Sequence, residues 1–235
     1  MMAGADLKTE DHFSVHTQYC RGRWGVFMDK GIVELESKLG LDEGFVDNLK
    51  SDDDWSFIIK LHALFEAACT HLLLFHFQEP DLADVFSRLD ISAIPIGKLA
   101  ILGKLNLLGE EDRRFIRSLS ELRNSLVHDV RNHRYSLAAM IAEFNQDQIR
   151  KFAVSFSPYE TRIRDLMEAP LFRAGVKESL AKQCALASVV DRARSDPKIH
   201  IWVGAQSVLI TIVEMYGYSD YKQWIRAKMM FQDEE

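Results

Sequence analysis

The stretch EEDRRFIRSLSELRNSLVHDVRN, residues 110–132, decides how the chain is read. Three acids open it and basic residues close it, the order that a helix dipole favours. Laid out from Phe115, the side chains of Leu119, Leu122, Leu126 and Val130 stay within about 60° of it, and Ile116 and Val127 widen the apolar face to about 120°. Arg123 falls at about 80°, inside that face. Asn124 and His128 fall near ~180° and ~220°, four residues apart and therefore neighbours on the opposite side. Burying an unpaired guanidinium costs several kcal/mol, so Arg123 requires a partner, an interface or a cleft. One candidate partner is Glu66, within the nearly all-apolar FIIKLHALFEAACTHLLLFHF at 57–77. A structural Arg123–Glu66 pair and a functional site are both open at this point.

The segments around this helix are helical as well. Gly40 follows VELESKLG as a helix C-cap would. The run Asp52-Asp53-Asp54 supplies N-cap and first-turn acids for a second helix, which Pro80 cannot continue. IPIGKLAILGKLNLLG predicts a helix stopped by Gly109, and Ser136 is placed to cap LAAMIAEF. No convincing alternating strand run occurs, KFAVSF at 151–156 being the only ambiguous segment. Beyond Ser157-Pro158, about four more helices are expected, punctuated by Pro170, Gly175, Pro197 and Gly217. The expected architecture is all-α: a mobile N-terminal segment over 1–23, a helical bundle over 24–156 and a helical C-terminal extension over 157–235.

Composition agrees with a globular protein, with 47% hydrophobic and 27% charged residues among 235. The N-terminal MMAGADLKTEDH has acids where a signal peptide needs a basic and then an apolar run. The apolar IHIWVGAQSVLITIVEMYGY contains His200, Gln206 and Glu214, which suits a buried helix better than a membrane span. A cytosolic protein without a membrane partner is the expectation. The net charge of −6 excludes a uniformly basic nucleic-acid coat. Charge is nonetheless segregated: Asp42 to Asp54 holds six acids and one lysine, whereas Arg113 to Arg134 holds six arginines and two histidines against Glu121 and Asp129.

No metal or cofactor is expected. Cys20, Cys69 and Cys184 are far apart and lack metal-ligand spacing, so they read as reduced thiols. The pair His12 and His16 has no carboxylate or cysteine at suitable spacing. Gly22 and Gly25 in RGRWG are not followed by the GK[ST] of a phosphate loop. The better reading of His62, His71 and His76 is core or polar-network histidine, and Trp24, Trp55, Trp202 and Trp224 read as core.

The spacing of Arg123, Asn124 and His128 resembles the RNxxxH signature of the HEPN superfamily, the higher eukaryotes and prokaryotes nucleotide-binding domains. A long KLHALFEAACTHLL helix, a connector and KLAILGKLNLLG before the motif helix are similar too, and the resemblance covers about residues 54–145. It implies a HEPN-like antiparallel bundle and metal-independent cleavage of RNA by 2′-hydroxyl attack. In that chemistry His128 would act as general acid or base, Arg123 as phosphate clamp and Asn124 as an orienting group. Arg123 and His128 lie about 140° apart on an ideal helix, so they do not converge within one chain. Family members commonly pool two motif helices across a homodimer, which would also account for an arginine on an apolar face. Arg113, Arg114, Arg117, Arg131 and Arg134 would then flank the shared cleft as RNA contacts. The resemblance further implies a toxin or defence effector held in check by an inhibitory protein partner. The alternatives are a non-catalytic HEPN-like interaction protein with an Arg123–Glu66 pair, and a nucleotide-binding sensor using the same pocket.

Overall fold

The structure is a computed structural model and describes residues 24–127, 134–168 and 177–232. Residues 1–23, including His12, His16, Cys20 and Gly22, lie outside the described residues, as do His128, Arg131, Pro170 and Gly175. Among the described residues the chain is all-α, with no strand. The helices are α1 (Trp24–Lys38), α2 (Phe45–Asn48), α3 (Asp54–Phe77), α4 (Ala83–Arg88), α5 (Lys98–Lys104), α6 (Glu110–Val127), α7 (Leu137–Ala142), α8 (Gln146–Ser155), α9 (Tyr159–Glu168), α10 (Glu178–Ser195) and α11 (Pro197–Gln232).

Local chemistry sets most of the ends. Gly40 has φ 68°, its N–H bonds to the Ser37 carbonyl, and the Leu41 N–H reaches back to Glu36. Those two bonds form a Schellman motif, which needs a left-handed residue at that position. The carboxylate of Asp53 accepts the Ser56 N–H at 2.9 Å and caps α3. Three residues before Pro80 the helix ends, with Gln78 at φ 55°. As expected, the Ser136 hydroxyl accepts the Ala139 N–H and caps α7. The ambiguous KFAVSF is helical, and its helix opens on a capping box between Asn145 and Gln148.

One helix is shorter than its sequence predicts. IPIGKLAILGKLNLLG gives only Lys98–Lys104, because Gly97 is extended and Asn106 takes φ 55°. A Cβ at Gly97 would stand 2.6 Å from the Ala93 carbonyl oxygen and 2.8 Å from that of Asp90. This close backbone approach, rather than a continuing helix, occupies residues 90–97.

At the centre α3 packs on both α6 and α11, and α6 and α11 also touch each other. One hydrophobic cluster joins Phe57, Leu61 and Phe65 of α3 to Phe115 and Leu119 of α6 and to Ile201, Leu209 and Ile212 of α11. The expected boundary near residue 156 therefore does not separate two cores. The end of the chain fills the middle of the bundle. α11 lies so close to α6 and α8 that a Cβ on Gly204 would meet the Phe156 carbonyl oxygen at 2.3 Å and the Phe115 ring at 2.8 Å. By length and composition, α3 and the Pro197–Gly217 part of α11 could cross a membrane, yet here they pack on each other as core helices. Trp202 is buried and Trp55 packs at the edge of the core, while the side chains of Trp24 and Trp224 lie outside the description.

Candidate functional site

Helix α6 has two polar flanks. On the first it faces α3 and α5. Ser120 is buried, donates its hydroxyl to the Ile116 carbonyl and lies 3.1 Å from His62 Nε2. One turn further along α3, Glu66 Oε1 accepts from Lys98 Nζ at 3.2 Å. The Lys98 side chain is only 1% exposed and that of Glu66 is 43% exposed. Glu66 thus carries the compensating charge out to solvent for a lysine that is itself buried. Burial lowers the His62 pKa, Glu66 raises it in part, and the nearby charge of Arg123 lowers it again. Buried and close to a cation, His62 is held neutral. The other histidines of α3 also sit in polar networks, His71 against the Tyr216 hydroxyl at 3.0 Å and His76 against Ser219 at 3.4 Å.

Arg123 stands one turn beyond Ser120, half-buried, as its place on the apolar face predicts. The alternative pairing with Glu66 is not found, since the Glu66 carboxylate is engaged by Lys98. Arg123 Nη1 instead donates to the Oδ1 of Asn124 at 3.1 Å, and no carboxylate among the described residues pairs with it. Two neighbouring motif residues are therefore joined at the edge of the core. Asn124 is exposed. The third motif residue, His128, follows the last described residue of α6.

The second flank faces α8 and α9. Here Arg114, Arg117 and Ser118 of α6 line a cleft of about 610 Å³ with Arg150 and Lys151 of α8. The position of Arg114 is fixed by a two-pronged pair with Glu160, at 2.7 and 2.8 Å, and by the Val154 carbonyl at 3.3 Å. That pairing holds the Glu160 carboxyl low, whereas burial raises that of neighbouring Glu111. Glu111 accepts the backbone N–H groups of Glu160 and Thr161 at 2.7 and 3.3 Å and so ties the start of α9 to the head of α6. Beside it, burial pushes Asp112 up to about 6. Its carboxylate accepts the Gly109 N–H at 3.2 Å and the Thr211 hydroxyl at 3.4 Å.

The arginine strip therefore does not act as one unit. Arg114 and Arg117 share the cleft, and Arg117 also pairs with Glu110 at 3.1 Å. Arg113 turns the other way and covers Gly103 of α5, pairing with Glu110 at 2.5 Å. Arg134 is exposed and is not among the residues that line this cleft. Arg150 and Lys151 are absent from the sequence reading of the site. Their signal was the adjacent cations of QIRKFAVSF, visible as part of one face only when that segment is taken as a helix. Among the described residues no cluster of His, Cys, Asp and Glu could hold a metal ion. None of the family models, curated proteins or solved structures compared with the chain matches it.

Proposed function

We propose that the chain is a HEPN-type, metal-independent endoribonuclease of the cytosol, working as a homodimer and serving as a toxin or defence effector under an inhibitory partner. The observation that carries this reading is Arg123. Its guanidinium is half-buried, bonded to its motif neighbour Asn124 and without a carboxylate partner among the described residues. A purely structural arginine at that position would take Glu66, but Lys98 holds it. An uncompensated guanidinium can clamp two oxygens of a phosphodiester and stabilise the charge that builds as the 2′-hydroxyl attacks. His128 supplies the titrating group, taking a proton from that hydroxyl or giving one to the leaving 5′-oxygen.

One chain brings one motif histidine, and the reaction needs two proton transfers. A two-fold contact between α6 helices supplies the second. Asn124 and Ser125 are exposed and offer the surface for such a contact. The test is incubation of purified protein with mixed RNAs in excess chelator. Wild type is expected to give products ending in a 2′,3′-cyclic phosphate and His128→Ala to give none. Equal cleavage by both would remove His128 from the mechanism. For the dimer, Ser125→Glu is expected to lower association in sedimentation and to abolish cleavage together. A wild type that is monomeric at micromolar concentration and still cleaves would rule out the shared site.

A further inference from the structure

The cleft on the second flank of α6 brings together four cations, Arg114, Arg117, Arg150 and Lys151, against one lining carboxylate, Glu121. This happens on a chain whose net charge is −6. Two of the four are already oriented by neighbours, Arg114 by Glu160 and Arg117 by Glu110. Arg150 and Lys151 are exposed, and no carboxylate among the described residues pairs with either. The Nε of Arg114 is buried and has no hydrogen-bond partner among the described residues. Fixed cations beside free ones, in a concave site, concentrate anions far more effectively than the same charges on a convex surface. Tyr159, Val154 and Leu186 give the same cleft an apolar wall.

We infer that this cleft binds the phosphodiester backbone of a single-stranded polynucleotide, with the apolar wall receiving a base. Cations that follow the backbone beside an aromatic surface are the usual means of holding a single strand without reading its sequence. The cleft is open to solvent rather than enclosed, which suits a strand better than a small anion surrounded on all sides. It also leads somewhere. Arg117, Glu121 and Asn124 recur at one-turn spacing along one side of α6, so the row of cleft residues runs about 10 Å along the helix axis to the motif. This inference rests on the ribonuclease reading for its choice of RNA as the strand. The cleft would deliver the strand, and the motif at the end of α6 would cut it.

The test uses the full chain and a fluorescein-labelled 2′-O-methyl oligouridine, which cannot be cleaved by 2′-hydroxyl attack. Anisotropy is read at several salt concentrations for wild type, Arg150→Glu, Lys151→Glu and a control, Arg88→Glu, whose charge change equals that of Arg150→Glu but which lies outside the cleft. The cleft variants are expected to weaken binding several-fold and to lower the salt slope by about one unit for each lost phosphate contact. Arg88→Glu is expected to stay near wild type. Equal weakening by Arg88→Glu and Arg150→Glu would reduce the effect to overall charge and overturn the site. Competition by inorganic phosphate or a mononucleotide as effective, per molecule, as that of the oligonucleotide would overturn the strand and leave a small-anion site. Binding in the cleft without cleavage of any RNA sinks the ribonuclease and keeps the cleft, whereas cleavage with unchanged binding by Arg150→Glu and Lys151→Glu does the reverse.

Discussion

The two flanks of α6 treat charge in opposite ways. Towards α3 and α5, Lys98, His62 and Ser120 are drawn into the protein, where His62 meets Ser120 and Lys98 meets Glu66, a half-exposed carboxylate that reaches solvent. Towards α8, Arg150 and Lys151 stand in a cleft with no carboxylate partner among the described residues. Buried charge is tolerated only when compensated, so the first flank behaves as part of the core. Exposed charge without compensation costs the fold little and remains available to a ligand. Arg123 lies at the end of the first flank and obeys the rule of the second: half-buried, yet bonded to a neutral amide rather than a carboxylate. That exception is the ground on which the motif is proposed as a site.

The difference can be broken from the buried side first. Glu66→Ala strands the Lys98 ammonium, and chemical denaturation is expected to show a loss of about 2 kcal/mol, less than for a fully enclosed pair because Glu66 reaches solvent. Lys98→Met keeps the length of the side chain without its charge and is expected to lose under about 1.5 kcal/mol. The reverse order would show that Lys98 is held by packing alone. Asp112, at the head of the same helix, sharpens the contrast through pH. Its folded pKa of about 6 lies above the ordinary 3.8, so the folded state keeps the proton that the unfolded chain has released. The resulting stabilisation is complete below about pH 4 and lost as pH rises to about 6. Asp112→Asn is expected to flatten that fall, on the order of 1 kcal/mol, in denaturation curves across this range. An unchanged slope would assign it to other carboxyls. On the open flank, Arg150→Glu is expected to shift stability by less than about 0.5 kcal/mol while weakening oligonucleotide binding. A large loss of stability there would make the cleft structural.

Much of this contrast was legible in the sequence, and what was hidden was hidden for a physical reason. Periodicity placed Phe115, Leu119 and Leu126 in the core and Arg123 on the same face, where it is half-buried, because burial along one helix follows from its own register. Caps at Gly40, Asp53 and Ser136 were readable because they are local. The partner of Glu66 was not. Lys98 lies 32 residues away, on a helix whose start depends on the close packing of Gly97. Nothing in the register of α3 or α6 distinguishes that lysine from Arg123 as the cation Glu66 will meet. Likewise, Arg150 and Lys151 join Arg114 and Arg117 only because α8 packs across α6. The apolar run of α11 was readable as a buried helix, but not that it shares one core with α3 and α6, which shows only when Gly204 is seen against Phe115.

The most direct test of Arg123 as a functional rather than a structural residue is to measure thermal stability and RNA cleavage together on Arg123→Ala. With no ion pair to lose among the described residues, the melting temperature is expected to stay within a few degrees of wild type, while cleavage in excess chelator disappears. A protein that melts well below wild type yet, when folded, cleaves RNA at the wild-type rate would contradict the assignment of α6 as the catalytic helix.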